Sequence, residues 1–280
     1  MGRRFWKMSG SGNDFVVFDS RGVEEHAASW EWPEAVQTLC ARGTGVGADG
    51  VVVLADPGHA EASLAMRYYN SDGSRGAFCG NATLCVTRLA HDLGMDRERQ
   101  LVIETDSGLV PARMGPSGPE IDLPTVLESS LDVPGLTLQP GESRIGFALA
   151  GVAHLVVRCD DVERVPVSER GRELRWSEFR AGGANVNFVS VRDGCWSIRT
   201  FERGVEGETL ACGSGAIASA ILLARWNESG HSTSLRTRSG RELSVRLSRE
   251  GESWKPTLAG EGRIVFTGEL AEWSPEPGAG

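Results

Sequence analysis

Two cysteines, Cys79 and Cys212, stand in the same short sequence context. Glycine, a polar residue and a small residue follow each of them, as Cys79-Gly80-Asn81-Ala82 and as Cys212-Gly213-Ser214-Gly215. A run of residues typical of a helix begins directly after each cysteine, which predicts a cysteine at each helix N-terminus. The positive end of the helix dipole favours a thiolate there, and the backbone N–H groups of the first turn can bind a carboxylate.

Two such cysteines can act as a pair on one substrate carbon. A thiolate on one side removes a proton, and a thiol on the other side returns a proton to the opposite face. Backbone N–H groups stabilise the charge that develops on the adjacent carboxylate. The pattern therefore predicts inversion of a stereocentre, with no cofactor and no metal.

Other interpretations of the two cysteines stay open at this point. They could form a redox pair, although dithiol oxidoreductases usually carry both sulfurs on one turn. One cysteine could act as a covalent nucleophile, with His154 as its base. Either could also be only a small buried side chain, which is the interpretation we apply to the other cysteines, Cys40, Cys85, Cys159 and Cys195.

Composition limits the class of partner. The 280 residues carry 29 Lys and Arg against 38 Asp and Glu, a formal net charge of −9, without a basic cluster. We therefore expect a small-molecule substrate and no nucleic acid. No apolar run is long enough to span a bilayer, and no signal peptide is visible, which predicts a cytoplasmic protein without a membrane partner.

The segments that must position the two cysteines occur in the same order in both halves of the chain. A segment with Asn13 before a Val-Val strand is echoed by one with His154, and Asp49–Val53 is echoed by Asn185–Val189. A strand that ends in a polar residue, Asn70 or Glu202, precedes each cysteine. The order predicts an α/β (α+β) chain of two like domains that each contribute half of one site.

Local patterns give the approximate bounds of the elements. Helices are predicted at 33–42, at 176–180, and after each cysteine to about 92 and 227. Gly115–Pro119 is rich in Gly and Pro and is predicted to be the domain linker. Strands are predicted at 4–8, 14–18, 51–54, 64–69, 101–105, 108–114, 144–149, 154–158, 185–191, 195–201, 233–238, 241–248 and 263–267.

Seven motifs together resemble those of the diaminopimelate epimerases, which invert one centre of 2,6-diaminopimelate without pyridoxal phosphate. The motifs are Lys7–Phe15, Gly45–Gly50, Tyr69–Gly73, Cys79–Asn81, Gly183–Phe188, Glu202–Gly204 and Glu208–Gly215. The resemblance implies two pseudo-symmetric domains, each a curled mixed sheet or barrel around a central helix, with the active site in the interdomain cleft. We expect residues 1–117 plus 264–280 to carry Cys79, residues 118–263 to carry Cys212, and the protein to be a homodimer.

The resemblance also implies roles for single residues. Cys79 and Cys212 would be the catalytic acid/base pair that interconverts LL- and meso-diaminopimelate, in lysine and peptidoglycan precursor synthesis. His154 and Glu202 would be their polar neighbours, with Glu202 also contacting the substrate. The remaining substrate-binding residues would be Asn13, Asn70, Asn185 and Arg203 at the non-reacting end, and Gly80, Asn81, Gly213 and Ser214 through their backbone amides.

One departure from the family pattern concerns the distal end of the substrate. Gly151-Val152-Ala153-His154 stands where the family has Gly-Asn-Pro-His or a variant with proline before the histidine. The asparagine that would contact the distal carboxylate is therefore replaced by Val152. A racemase of another polar amino acid is the alternative, as is a non-catalytic or redox-responsive binding protein on the same scaffold.

Overall fold

A computed structural model describes residues 3–22, 32–98 and 100–270. The chain divides into two compact units, Met1–Ile121 with Glu261–Gly280, and Asp122–Gly260. Residues 271–280, which the sequence assigns to the first domain, lie outside the described residues. Among the described residues, no helix is both long and apolar enough to cross a membrane.

The first unit is a mixed sheet with two α-helices among its described residues. Its elements are β1 (Arg3–Gly10), β2 (Asn13–Asp19), α1 (Trp32–Cys40), β3 (Gly50–Ala55), β4 (Leu64–Asn70), β5 (Arg75–Gly76), α2 (Gly80–Asp92), β6 (Gln100–Thr105), β7 (Gly108–Gly115) and β8 (Gly118–Asp122), which ends at the unit boundary, and the returning strand β18 (Arg263–Leu270).

The second unit has the same composition of elements. They are β9 (Ser129–Ser130), β10 (Glu142–Ala150), β11 (Val152–Cys159), a 3-10 turn (Val162–Arg164), α3 (Val167–Arg175), β12 (Asn185–Arg192), β13 (Cys195–Glu202), β14 (Gly207–Thr209), α4 (Gly213–Arg225), β15 (Ser232–Arg236), β16 (Glu242–Glu250) and β17 (Ser253–Gly260).

The two units repeat one pattern of strand pairing. In the first unit, β2 pairs antiparallel with β1 and parallel with β3. β4 pairs antiparallel with β3 and β5 and parallel with β6. β7 lies antiparallel between β6 and β8. In the second, β11, β13 and β16 make the corresponding pairs with β10, β12, β14, β15 and β17. An added strand lies antiparallel to the first strand of each repeat, β18 on β1 and β9 on β10. The predicted duplication is confirmed.

The hydrogen-bond register corrects two predicted correspondences within the repeat. Counted from the hairpin turns, Asn13 pairs with Gly10 and Val152 pairs with Ala150, so Asn13 corresponds to Val152. His154 corresponds instead to Phe15. The echo between Asn13 and His154 is therefore wrong by two residues. The echo of Asp49–Val53 by Asn185–Val189 is wrong by one residue, because Phe15 pairs with Gly50 where His154 pairs with Asn185, so Asn185 corresponds to Gly50. Asn70 and Glu202, the last residues of β4 and β13, do correspond.

A buried helix lies at the centre of each unit. α2 and α4 are each 13 residues long, and most of their side chains are buried all round, as expected of a helix enclosed by its sheet. α2 contacts several strands of its unit, among them β1, β7 and β18, and α4 likewise contacts β10, β12 and β16. α1 and α3 pack in separate clusters against other side chains of the sheets. Strands β2 and β11 are therefore buried on both faces.

The third helix is not where the sequence predicts it. The structure has α3 at Val167–Arg175 rather than a helix at 176–180. Its buried face includes two arginines, and Arg170 pairs with Glu142 at 2.7 Å with both side chains buried. Hydrophobic periodicity fails here because a buried ion pair takes the place of apolar residues on the helix face.

The predicted linker is a β-hairpin. Gly115–Pro119 joins β7 to β8, and Gly115 pairs directly with Gly118, which has a φ of 130°. The positive φ at Gly118 favours glycine there, and a Cβ on Gly115 would lie 2.5 Å from Oε1 of Glu120, so the Glu120 side chain would have to shift. The unit boundary follows at Ile121 and Asp122 rather than at 117 and 118, and the second boundary lies at Gly260 and Glu261 rather than at 263 and 264.

Candidate active site

Cys79 and Cys212 are the N-cap residues of α2 and α4, as the sequence predicts. Their backbones are nearly identical, with φ −142° and ψ 112° at Cys79 and φ −139° and ψ 112° at Cys212. The carbonyl of each accepts the first hydrogen bond of its helix, from the N–H of Thr83 at 2.9 Å and from that of Ala216 at 3.0 Å. Within the described chain neither thiol caps its helix, so the first-turn N–H groups are left for an anion.

The two thiols differ in exposure. Cys79 is half-buried and Cys212 is buried. The Cys212 sulfur lies 3.5 Å from the Ser214 hydroxyl, two residues further into α4. Either the thiol or the hydroxyl can be the donor in this contact.

Asn13 and Asn81 meet at the start of α2. The Asn81 amide donates to Oδ1 of Asn13 at 2.6 Å, and the Asn13 amide donates to Oδ2 of Asp49 at 3.0 Å. Both ends of the Asn13 side chain are thus fixed. Asn81 is only 3% exposed, and its own Oδ1 has no hydrogen-bond partner among the described residues.

Asp49, which binds Asn13, belongs to a charged cluster with Asp14, Arg42 and Lys7. Arg42 bridges Asp14 and Asp49 at 2.7 Å each, and Lys7 donates to Asp14 at 2.7 Å. Burial favours a raised pKa for Asp14, but hydrogen bonds from Arg42 and Lys7 outweigh that effect and lower its pKa below the ordinary value. Asp14 therefore stays ionised and keeps the cluster intact.

Asn70 is the last residue of β4, where the turn to β5 begins. Its amide donates to the Ser74 hydroxyl at 3.0 Å, and its backbone N–H donates to the Ser74 carbonyl at 2.8 Å. These contacts shape the turn that leads to Cys79. A contact between Asn70 and substrate stays a prediction.

His154 is fully buried in the second unit and belongs to a polar group. Its Nδ1 lies 3.2 Å from the amide nitrogen of Asn187, while its Nε2 is buried with no hydrogen-bond partner among the described residues. Burial, and secondarily the positive charge of Arg203, lower the pKa of His154 to about 3. His154 is thus a neutral imidazole near pH 7.

Asn185 connects β12 to the residues that follow β13. Its Oδ1 accepts the backbone N–H of Arg203 at 2.7 Å, and its amide donates to the Ala153 carbonyl at 3.5 Å. Glu202 is half-buried, and the Arg203 side chain is exposed. Asn185 thereby fixes the backbone position from which the Arg203 side chain extends.

Sequence reasoning missed two residues of these groups, Asn187 and Asp49. Both lie within motifs noted above, but neither was given a role at the site. One feature of the sequence, a glycine within a predicted helix, indicates a close neighbour and so bears on Asn187. Gly215 follows Cys212 within a helix, where glycine is unfavourable, and a Cβ on it would lie 2.2 Å from Oδ1 of Asn187.

Burial acts on the thiols of three of the four other cysteines. Burial raises the pKa of Cys40 to about 11 and that of Cys159 to about 12, and it also raises the pKa of Cys85. These three are buried, as expected of structural thiols, whereas Cys195 is half-buried. In the described ranges, no group of three or more His, Cys, Asp or Glu side chains could hold a metal ion.

Comparison with known proteins decides the family. The family model described as diaminopimelate epimerase matches residues 5–125 and 147–265, which include both cysteines. The chain belongs to the diaminopimelate epimerase family. It is 46% identical over 277 residues to the diaminopimelate epimerase of Gemmatimonas aurantiaca, covering 95% of this chain and 99% of that one. The Aquifex aeolicus diaminopimelate epimerase is 38% identical, covering 96% and 98%.

Solved structures show the same architecture at much lower sequence identity. The Bacillus anthracis phenazine biosynthesis protein of the PhzF family superposes with a TM-score of 0.74, at 15% identity, over 96% of this chain and 99% of that one. This likeness concerns the fold. Together with the repeated strand pairings, it confirms the predicted α+β class and the two-repeat architecture of the diaminopimelate epimerase family.

Proposed function

We propose that the protein is an epimerase that interconverts LL- and meso-diaminopimelate, with Cys79 and Cys212 as its acid/base pair. The observation that carries the proposal is the matched position of the two cysteines, each the N-cap of the central helix of a repeat. Near-complete coverage of relatives named diaminopimelate epimerase supports the choice of substrate.

The proposed reaction is balanced within the protein and its substrate. A thiolate takes the proton from the α-carbon, so that a C–H bond breaks and an S–H bond forms. The electron pair spreads onto the α-carboxylate, where backbone N–H groups at Gly80, Asn81, Gly213 and Ser214 stabilise the added charge. The second thiol then gives its proton to the opposite face, so an S–H bond breaks and a C–H bond forms.

The cysteine that began as a thiolate ends as a thiol, and its partner ends as the thiolate. The two directions of the reaction therefore start from opposite protonation states of the pair. Each cysteine is needed in both directions, once as base and once as acid.

The non-reacting end of the substrate is assigned to Asn13, Asn70, Asn185 and Arg203, with Glu202 near the reacting centre. The exposed guanidinium of Arg203 can form a forked pair with a carboxylate. Asn13 offers one remaining amide N–H once its bond to Asp49 is made. We further propose a homodimer in the cytoplasm, which the family resemblance supports.

A second candidate function rests on Val152. Its side chain is 37% exposed at the start of β11, in the place that corresponds to Asn13 in the other unit. An apolar residue there offers no hydrogen bond to a distal carboxylate, which favours a racemase of a different polar amino acid.

The test is conversion of LL-diaminopimelate to the meso form, followed by chiral separation, beside a panel of polar amino acids such as glutamate and lysine. We expect diaminopimelate to have the highest kcat/KM, and Cys79→Ala and Cys212→Ala each to abolish conversion. Cys195→Ala, at the other half-buried cysteine, should retain it. A higher kcat/KM for another amino acid would favour the alternative, and full activity in either single variant would contradict the two-base scheme.

A further inference from the structure

Asn187 is a fully buried polar residue on β12, and each end of its side chain has a partner. Its amide nitrogen donates to the Leu155 carbonyl at 2.9 Å and lies 3.2 Å from Nδ1 of His154. Its Oδ1 accepts from the Thr200 hydroxyl at 3.0 Å. The side chain therefore links three strands, β11, β12 and β13, beneath the start of α4.

These contacts fix which way the Asn187 amide points. A backbone carbonyl only accepts hydrogen bonds, so the group facing Leu155 must be the NH₂. The same NH₂ faces Nδ1 of His154, and two donors cannot share a hydrogen bond. Nδ1 is therefore the acceptor, and in a neutral imidazole the proton then resides on Nε2.

We infer that Asn187 is a positioning residue that fixes His154 in the tautomer protonated on Nε2. His154 then presents a neutral N–H donor, rather than a basic nitrogen, at an atom that is buried and has no partner among the described residues. A buried donor without a partner costs free energy, which an anionic acceptor at the site would recover. An anionic oxygen or sulfur of the reacting centre is the chemical class that fits.

The surroundings support this assignment. Arg203 is the charged group whose field acts on His154, and its positive charge opposes a second proton on the ring. Gly215 leaves room for the Asn187 carbonyl oxygen at the start of α4, because a Cβ there would lie 2.2 Å from that oxygen. The tautomer follows from these contacts alone, whereas its effect on turnover rests on the proposed function.

The direct test is the ¹⁵N NMR spectrum of the full chain labelled in histidine. Long-range ¹H–¹⁵N correlations distinguish a protonated ring nitrogen from an unprotonated one, and the signal missing in His154→Gln assigns the residue. At pH 7 we expect His154 with Nε2 protonated and Nδ1 unprotonated. Protonated Nδ1 in the wild-type protein would overturn the inference, whatever the variants show.

Two variants separate the positioning role from a merely structural one. Asn187→Asp keeps the size of the side chain but replaces the donor with an acceptor, so the proton should move to Nδ1. Thr200→Val removes the partner of the opposite end of the amide and should keep the wild-type tautomer. Should Asn187→Asp fail to fold, Asn187→Ala removes the donor and should give a mixture of both tautomers; an unchanged tautomer in the variant that folds would overturn the inference.

Turnover gives the second readout. With diaminopimelate as substrate, Asn187→Asp should lower kcat by about 100-fold, the scale of losing one buried donor to a developing charge, with little change in KM. The kcat of Thr200→Val should stay within about threefold of the wild-type kcat, because this variant keeps the donor to the developing charge. A switched tautomer with unchanged kcat would overturn the role in turnover. If wild type shows the expected tautomer but converts no diaminopimelate, the proposed function fails and the assignment of Asn187 stands.

Discussion

A Cβ atom on Gly215 would lie 2.2 Å from the side-chain oxygen of Asn187. Glycine is thus required in the first turn of α4, although it lowers helix propensity by about 1 kcal/mol relative to alanine. The close approach lets the helix that begins at Cys212 lie directly over the polar group around His154. Substitution of Gly215 tests whether stability and activity depend on this close approach.

Gly215→Ala should destabilise the protein by about 1–3 kcal/mol, because the methyl group forces Asn187 away from Thr200 and His154. Urea unfolding measures the change, and epimerase activity should fall with it. Gly230→Ala is the matched control, since a Cβ there meets nothing within 4 Å. A variant at Gly215 as stable as the control would show that the helix start shifts without cost.

Asp49→Asn should impair substrate binding more than turnover. The Asp49 carboxylate accepts from the Asn13 amide and pairs with Arg42, so the neutral amide no longer fixes the orientation of Asn13. We expect KM for diaminopimelate to rise about 10-fold, the equivalent of one charged hydrogen bond, with kcat changed little. Asp19→Asn is the control, because Asp19 lies on β2 with Asn13 but pairs with Arg21, and it should leave KM unchanged. An unaltered KM in Asp49→Asn would remove Asn13 from the substrate site.

His154 should make the protein less stable as the pH falls. Its pKa is about 3 in the folded protein and near 6.5 in the unfolded chain, so between these values the unfolded state binds the extra proton. The free energy of unfolding therefore falls with decreasing pH below about 6.5, by up to about 1.4 kcal/mol per pH unit from this residue.

The measurement is urea unfolding at pH 7, 6 and 5 for wild type, His154→Gln and, as a control, His59→Gln at an exposed position. The loss of stability on acidification should be smaller in His154→Gln than in wild type. His59→Gln should follow wild type. Equal pH slopes for wild type and His154→Gln would contradict a neutral buried His154.

Sequence patterns were sufficient where short-range chemistry decides the structure. The glycines after Cys79 and Cys212 and the apolar runs behind them determine a helix start locally, and both N-caps were predicted. α3 was missed because its buried face is completed by Arg170, whose partner Glu142 lies on a distant strand. The composition of Gly115–Pro119 predicts a linker although the segment is a hairpin, since glycine and proline are frequent in tight hairpins and in interdomain segments alike.

The polar contacts of the site depend on register and on tertiary packing. Similar valine runs align His154 with Asn13 in the sequence, whereas the hydrogen bonds from the hairpin turns align Asn13 with Val152. Asn187 gained its role only when β12 placed it beside His154 and beneath Gly215. The local trace of that arrangement is glycine at position 215, within a helix, and it does not identify the partner residue.

The most direct test of the central claim is exchange at the α-carbon in heavy water. With LL-diaminopimelate in D₂O, we expect deuterium at the inverted α-carbon of every meso molecule formed, because the returning proton comes from a thiol that exchanges with solvent. Mass spectrometry and chiral separation measure this together. Meso product without α-deuterium, or equal deuterium incorporation by the Cys79→Ala and Cys212→Ala double variant, would contradict proton transfer by the two cysteines.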